Sequence, residues 1–407
     1  MEEKKTLIQK IKAAGPAAVI TSAFIGPGTI TTATNAGVNF GYALLWAVVF
    51  SGFASIIIMN MASRLAIVGK SNIIDASVSL LPNSNAWRLF VLGLIALVVV
   101  LTGFGFEAGN LIGATTGFAD ITGLSREIAA LAMGIVALAA ILYSTPKIIE
   151  LIMKFFVAIM GIIFVVTAII VGPNIGDVLA GLIPSIPDGA TVTTIALIGT
   201  TIIAINLVFH SVASAEKWTD DKDLSDSYFD TKMNVSLGVV MTLGLIITTS
   251  ATLFGTGTVV NSPIVFAEAL ESTLGSGARL FAATGLMLAG LSSAIATPYM
   301  VGHIWSKIFK WTKPNDIRPK AVAAVIVVFG TALAMFGTTP VPIILFAQAT
   351  SGVFLPFIAV LFVVATNSEK LGKFKNTLLQ NALGFVMVAV MFLLGGRTLW
   401  NVLSNFF

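Results

Sequence analysis

The chain has 407 residues, of which 57% are hydrophobic and only 10% charged, with a formal net charge of +4. A soluble domain carries about 25% charged residues, so this composition, with a mean hydropathy of +0.97, excludes a soluble enzyme and calls for a polytopic membrane protein. The basic residues are dispersed between apolar segments as loops on an anionic membrane face require, which excludes a nucleic-acid surface, and the lack of cysteine excludes disulfides, iron–sulfur clusters and thiolate metal sites.

The charged start, MEEKKTLIQKIK, runs into an apolar segment with no small-residue cleavage site, and is read as a cytoplasmic leader and not a signal peptide. Apolar stretches of about 17–25 residues predict eleven spans, near 14–36, 41–63, 89–115, 128–145, 151–172, 193–215, 235–256, 277–303, 320–337, 341–365 and 379–402. Glu216–Asp230 (EKWTDDKDLSDSYFD) is the clearest loop. No linker is long enough to join separate domains, so 1–407 reads as one transmembrane domain.

With the N-terminus placed in the cytoplasm, 20 of the 23 Lys and Arg fall on inner segments, and only Arg126, Arg279 and Arg397 fall outside. Positive charge gathers on the cytoplasmic side, and one miscounted span would scramble the split. The expectation is a multi-pass cell-membrane protein with its N-terminus inside and its C-terminus outside.

In the first span, FIGPGTITTATN sets Gly26, Pro27 and Gly28 in the middle of an apolar segment. Proline removes a backbone donor and glycine weakens a helix, so the triplet predicts an unwound point. Unwound backbone at membrane depth is tolerated where it is buried in protein or lines a cavity, and discontinuous helices make substrate sites in transporters built from inverted repeats. Thr29, Thr31, Thr32, Thr34 and Asn35 would line the second half-helix. A simple kink is the alternative.

Glu107, in LTGFGFEAGNLIG, lies well inside the third span, whereas 18 of the 19 acidic residues fall in loops, in the leader or near span ends. A carboxylate at that depth marks a functional site by default; a hydrogen-bonded glutamate joining two helices is the other reading. Asn110 follows one turn later on the same face. The sixth span, IALIGTTIIAINLVFHSVA, carries Thr200, Thr201, Asn206 and His210, the last two sharing a face as helix glue or as part of a site. It has no proline, and only Gly199 near its midpoint, so a break is signalled in the first span alone. Ser292, Ser293 and Thr297 in the eighth span and Gln348 in the tenth are weaker candidates.

His210 and His303 are the only histidines and lie far apart, so no metal-ligand cluster emerges. There is no phosphate-binding glycine loop followed by Lys-Ser/Thr, and no cofactor is expected. Transport would draw on an ion or substrate gradient.

Several phrases together resemble the Nramp divalent-metal transporters over about residues 14–400: PGT after the first half-helix, NFGYALLW, MASRLAIVGKSN, FEAGNLIGA, LMLAGLSSAIATPYMVG and AQATSGVFLPF. The resemblance implies an all-α integral-membrane fold of about eleven helices. The first ten would form a leucine-transporter-like inverted repeat of 5+5, with repeat one at about 14–172, repeat two at about 193–365 and an extra helix at about 379–402.

The same resemblance shows a changed site. The family carries Asp-Pro-Gly-Asn at the first break where this chain has Gly26-Pro27-Gly28-Thr29, and Met-Pro-His where it has Ile203-Ala204-Ile205. Glu107 matches a family glutamate, but the aspartate one turn earlier is Phe104. Binding of Mn²⁺ or Fe²⁺ uses direct carboxylate, imidazole or thioether ligands, whereas Mg²⁺ gives up water reluctantly and can be held through its hydration shell. The resemblance therefore implies a secondary transporter of a hard or hydrated divalent cation, weakly or not proton-coupled. Gly26, Thr29, Thr200, Ile203 and Asn206 would line its substrate site, and Glu107, Asn110 and His210 would form an ion or proton relay. A small organic solute using the same break, a channel-like uniporter and a transport-inactive membrane sensor remain as alternatives. The expected partners are the substrate and the lipid bilayer.

Overall fold

The computed structural model describes residues 15–79, 84–311, 313, 316–336 and 354–404, and among them every regular element is helical. The first span is two half-helices, α1 (Pro16–Phe24) and α2 (Pro27–Phe40). Spans two to five follow as α3 (Leu45–Ile67), α5 (Asn85–Thr122), α6 (Arg126–Tyr143) and α7 (Pro146–Ile170), with a short α4 (Ile73–Ser79) after α3 and a short α8 (Ile175–Ala180) after α7. The sixth span is again two half-helices, α9 (Thr191–Thr201) and α10 (Ala204–Lys217). Then come α11 (Leu224–Leu253), α12 (Val265–Leu274), α13 (Ser276–Ile308), α14 (Arg318–Phe336), α15 (Phe354–Ala365) and α16 (Leu378–Ser404). Eight described helical runs are long and apolar enough to cross a membrane. One of them, Pro27–Ile67, joins α2 to the second span, and the shorter apolar α15 and the apolar start of α16 fall where the tenth and eleventh spans were expected.

The two breaks have different local causes. In the first span the helical ladder stops with Ile25 N–H on Thr21 O at 3.1 Å and restarts with Ile30 N–H on Gly26 O at 3.1 Å. Gly26 is extended (φ −99°, ψ −178°) and Pro27 opens α2, where its missing N–H costs nothing and its fixed φ favours the helix. Pro27 and Gly28 are therefore helical, and the unwound residues are Ile25 and Gly26.

The sixth span breaks without proline or glycine. Ile202 (φ −100°, ψ 98°) and Ile203 (φ −115°, ψ 131°) are extended, a conformation that β-branched side chains favour. The ladder ends with Ile202 N–H on Ile198 O at 3.1 Å, and Ile203 O then takes the Asn206 and Leu207 N–H groups at 3.0 and 3.3 Å.

The expected loop at Glu216–Asp230 is mostly helix. α10 runs to Lys217, a turn opens at Asp220 with a capping box to Asp223, and α11 begins at Leu224. Acidic residues suit a helix N-terminus, and the polar side chains Asp226, Ser227 and Asp230 are buried within the bundle.

Small residues bring the spans together around the first break. A Cβ on Gly290 of α13 would fall 2.2 Å from Ala114 N of α5, and one on Gly113 of α5 would fall 2.0 Å from Pro27 Cγ. Backbones approach this closely only where no side chain stands between them, and the approach sets Asn110 and Ser293 against the unwound residues. The outward faces are apolar, as lipid contact requires: Leu97, Leu131, Leu151, Ile162, Val328 and Phe357 are all exposed.

Candidate functional site

At the first break, α1 ends with open carbonyl groups, and hydroxyls from other elements close on them. Ser293 Oγ donates to Ser22 O at 2.8 Å and reaches Ala23 O at 3.2 Å, and Ser292 Oγ reaches Ser22 O at 3.3 Å. The Thr29 hydroxyl, from the first turn of α2, donates to Phe24 O. Gly26 stands against α5 and α13 together: a Cβ there would meet Ser293 Oγ at 2.9 Å and Asn110 Oδ1 at 3.1 Å. The Asn110 amide in turn donates to Thr297 Oγ1 at 3.4 Å.

Across the bundle, the Thr200 hydroxyl donates to Leu197 O at 2.9 Å in its own half-helix. Ile203 is buried with its carbonyl turned into α10. Asn206, in the first turn of α10, is buried with neither amide atom hydrogen-bonded. Neither carboxyl oxygen of Glu107 has a hydrogen bond, although the Asn110 amide lies beside it. The Glu107 stem packs on α14, where a Cβ on Gly330 would fall 2.8 Å from Glu107 Cγ. One turn earlier, Phe104 meets Phe329 of α14 edge to face at 4.9 Å.

His210 belongs to a different cluster. Its Nε2 lies 2.9 Å from Ser63 Oγ of α3 and 3.3 Å from Thr231 Oγ1 of α11, and Ser227 Oγ donates to Ser63 Oγ at 2.8 Å. The expected substrate and relay residues thus divide. Gly26, Thr29 and Asn110 meet at the first break, Thr200, Ile203 and Asn206 surround the second, Glu107 bridges α5 and α14, and His210 joins α10 to α3 and α11. Gln348 lies outside the described residues.

The sequence reading ranked Ser292 and Ser293 only as weaker candidates and did not place Asp230 inside the bundle. Ser292 and Ser293 close the end of α1, and their signal was a hydroxyl pair followed by Thr297 in an otherwise small-residue stretch of the eighth span. Asp230, placed in a loop by sequence, is a fully buried carboxylate, so Glu107 is not alone. Among the described residues the buried charged side chains are Arg64, Glu107, Asp226 and Asp230, and no group of three or more His, Asp or Glu residues is placed to hold a metal ion.

Two interrupted helices, packed into an all-helical apolar bundle with buried polar groups at both interruptions, define a multi-pass membrane transporter of leucine-transporter-like fold. The fold is similar to that of a manganese transporter from Eremococcus coleocola, solved with an aromatic bis-isothiourea compound, with a TM-score of 0.81 at 21% identity over 97% of this chain and 87% of that one. It is also similar to MhsT in complex with L-phenylalanine, with a TM-score of 0.62 at 14% identity over 97% of this chain and 100% of that one.

The profile of the Natural resistance-associated macrophage protein-like (Nramp) family matches residues 17–401, and the chain belongs to that family, whose members are transporters and not enzymes. Similar curated proteins include the divalent metal cation transporter MntH of Staphylococcus saprophyticus, 23% identical over 93% of this chain and 90% of that protein. MntH of Erwinia tasmaniensis is 26% identical over 98% of this chain and 96% of that protein.

Proposed function

We propose that this protein is a secondary transporter that carries a hard divalent cation, Mg²⁺ in preference to Mn²⁺ or Fe²⁺, through the paired breaks of spans one and six. The divalent-metal class comes from the MntH relatives and the manganese-transporter fold neighbour. The preference within that class rests on one observation: Gly26, Thr29, Ile203 and Asn206 offer neutral oxygen donors and an alkyl group where a soft, dehydrated ion needs a carboxylate or thioether. A cation that keeps much of its water is held by such a lining through its hydration shell. Gly26 and Thr200 would contribute through backbone carbonyls, Thr29 and Asn206 through side-chain oxygens, and Glu107 would supply negative charge.

Strict proton coupling does not suit this interior. A coupled proton needs a chain of titratable groups, and beside Glu107 the α5–α14 interface holds the Phe104–Phe329 pair and Gly330. The chain is read with its N-terminus cytoplasmic and with two repeats, 14–172 and 193–365, each opening on a broken helix. The 20-to-3 division of Lys and Arg supports that orientation. The ion pairs fit the grouping of segments into two sides, whichever of them is cytoplasmic: Lys70–Asp221, Glu150–Lys217 and Glu216–Lys307 join segments of one group, and Asp120–Arg279–Glu271 joins segments of the other.

The second reading, a small organic solute, is favoured by Asn206, whose unpaired amide offers both a donor and an acceptor beside the break. Calorimetry on purified protein tests the preferred reading: Mn²⁺ and Cd²⁺ should bind much more weakly than to an Nramp protein with the full ligand set. Micromolar Mn²⁺ affinity would overturn it.

A further inference from the structure

Asp230 lies in the second turn of α11, fully buried, and its carboxylate is spent on a different helix. Oδ1 accepts the Gly15 N–H at 2.9 Å and Oδ2 accepts the Ala17 N–H at 3.1 Å. These donors lie at the start of α1, where a helix leaves N–H groups without internal partners. α1 has no side-chain cap of its own, so Asp230 does from span seven what a capping residue does locally, with its charge at the favourable end of the helix dipole. Asn234 holds the carboxylate in place, donating to Asp230 Oδ1 at 2.8 Å.

Other charges close over the same point. A Cβ on Gly15 would fall 1.9 Å from Lys217 Nζ at the end of α10, and Lys217 pairs with Glu150 of α7 at 3.1 Å. Lys154, one turn beyond Glu150, is close enough to act on Asp230.

α1 itself is nine residues long, every one of them buried, and it ends at the unwound Ile25–Gly26. It stands between the break and the end of the bundle where Asp230 sits. No helical hydrogen bond carries it into α2, so it can turn about the break more cheaply than any continuous span. Among the described residues its polar ties to other elements are the hydroxyls of Ser292, Ser293 and Thr29 at the break and the carboxylate of Asp230 at the far end.

We propose that Asp230 is a positioning residue of the transport cycle, holding α1 against α11 so that the break is shut on this side. Release of the Gly15 and Ala17 N–H groups from Asp230 lets α1 swing and opens the break to the face that carries the N-terminus. The proposal rests on the transporter reading of the break and goes beyond it by naming the latch.

The chain has no cysteine, so Ser22→Cys introduces a single thiol on α1, at a fully buried position whose hydroxyl bonds only Val19 O at 2.7 Å. Thr34→Cys places a matching buried reporter on α2. In nanodiscs, a hydrophilic maleimide should modify Ser22→Cys about tenfold faster or more once Asp230→Asn or Asp230→Ala is added, the scale expected for losing a charged hydrogen bond. Modification of Thr34→Cys should be unchanged.

Unchanged labelling at Ser22→Cys, or an equal rise at both reporters, would overturn the proposal. Should the Asp230 variants not fold, Asn234→Ala, which leaves the carboxylate but removes its anchor, is expected to give the same one-sided rise at smaller size, and no rise there overturns it. The labelling needs no substrate. A one-sided rise in a protein that moves no divalent cation would sink the cation reading and leave the latch, and unchanged labelling in a protein with robust uptake would do the reverse.

Discussion

The hydroxyl of Ser293 donates to the carbonyl of Ser22 at 2.8 Å, so the open end of one half-helix is capped by a side chain from a span more than two hundred residues away. The same serine sits 2.9 Å from where a Cβ on Gly26 would lie. The residues at 26 and 293 are therefore coupled: a side chain at 26 and a hydroxyl at 293 compete for one volume.

It follows that Ser293→Ala weakens the fold by leaving the Ser22 and Ala23 carbonyls without this donor. An unsatisfied buried acceptor costs about 1–3 kcal/mol, partly offset here by Ser292 Oγ, 3.3 Å from Ser22 O. Thermal unfolding in detergent should show a lower Tm for Ser293→Ala, with a larger loss in Ser292→Ala/Ser293→Ala.

Restoring the family's acid alone should fail. Gly26→Asp forces Ser293 or Asn110 aside, so Gly26→Asp combined with Ile203→Met should gain little Mn²⁺ affinity. Adding Ser293→Gly removes the obstructing hydroxyl, and the triple variant should bind Mn²⁺ at least tenfold more tightly than the double. Isothermal titration compares them directly, and a double variant as tight as the triple would show that residue 293 does not limit the site.

Glu107 is expected to set local charge without relaying protons. Glu107→Gln should cut cation uptake severalfold in vesicles, while the unaltered protein moves little acid, read with a pH-sensitive dye inside. Acidification tracking substrate entry would defeat the uncoupled reading, and unchanged uptake in Glu107→Gln would make the residue structural.

Much of this was legible in the sequence, and the exceptions have physical reasons. Apolar length was enough to find the spans among the described residues, because a bilayer imposes it. The first break was visible because Gly26-Pro27-Gly28 carries backbone chemistry that opposes a helix. The sixth-span break was not, since Ile202 and Ile203 are ordinary membrane residues whose extended conformation emerges only in the packed bundle. Asp230 was misplaced because the acidic run before it reads as loop, whereas its charge is buried by pairing with backbone donors some two hundred positions away. Thr29 was expected to line the substrate site, and nothing in the sequence signalled that its hydroxyl also donates to Phe24 O, a bond that only the geometry of the break creates.

Orientation has its own test. Asn39, at the far end of α2, is exposed, and Asn39→Cys in this cysteine-free chain should react with an impermeant maleimide on intact cells. Reaction confined to inside-out vesicles would invert the topology.

The measurement closest to the central claim is uptake into proteoliposomes, with Mg²⁺, Mn²⁺ and a panel of small organic solutes read in one preparation. The account predicts saturable Mg²⁺ entry that micromolar Mn²⁺ does not compete away. Micromolar competition by Mn²⁺, or flux of an organic solute with no divalent cation entering, would contradict it.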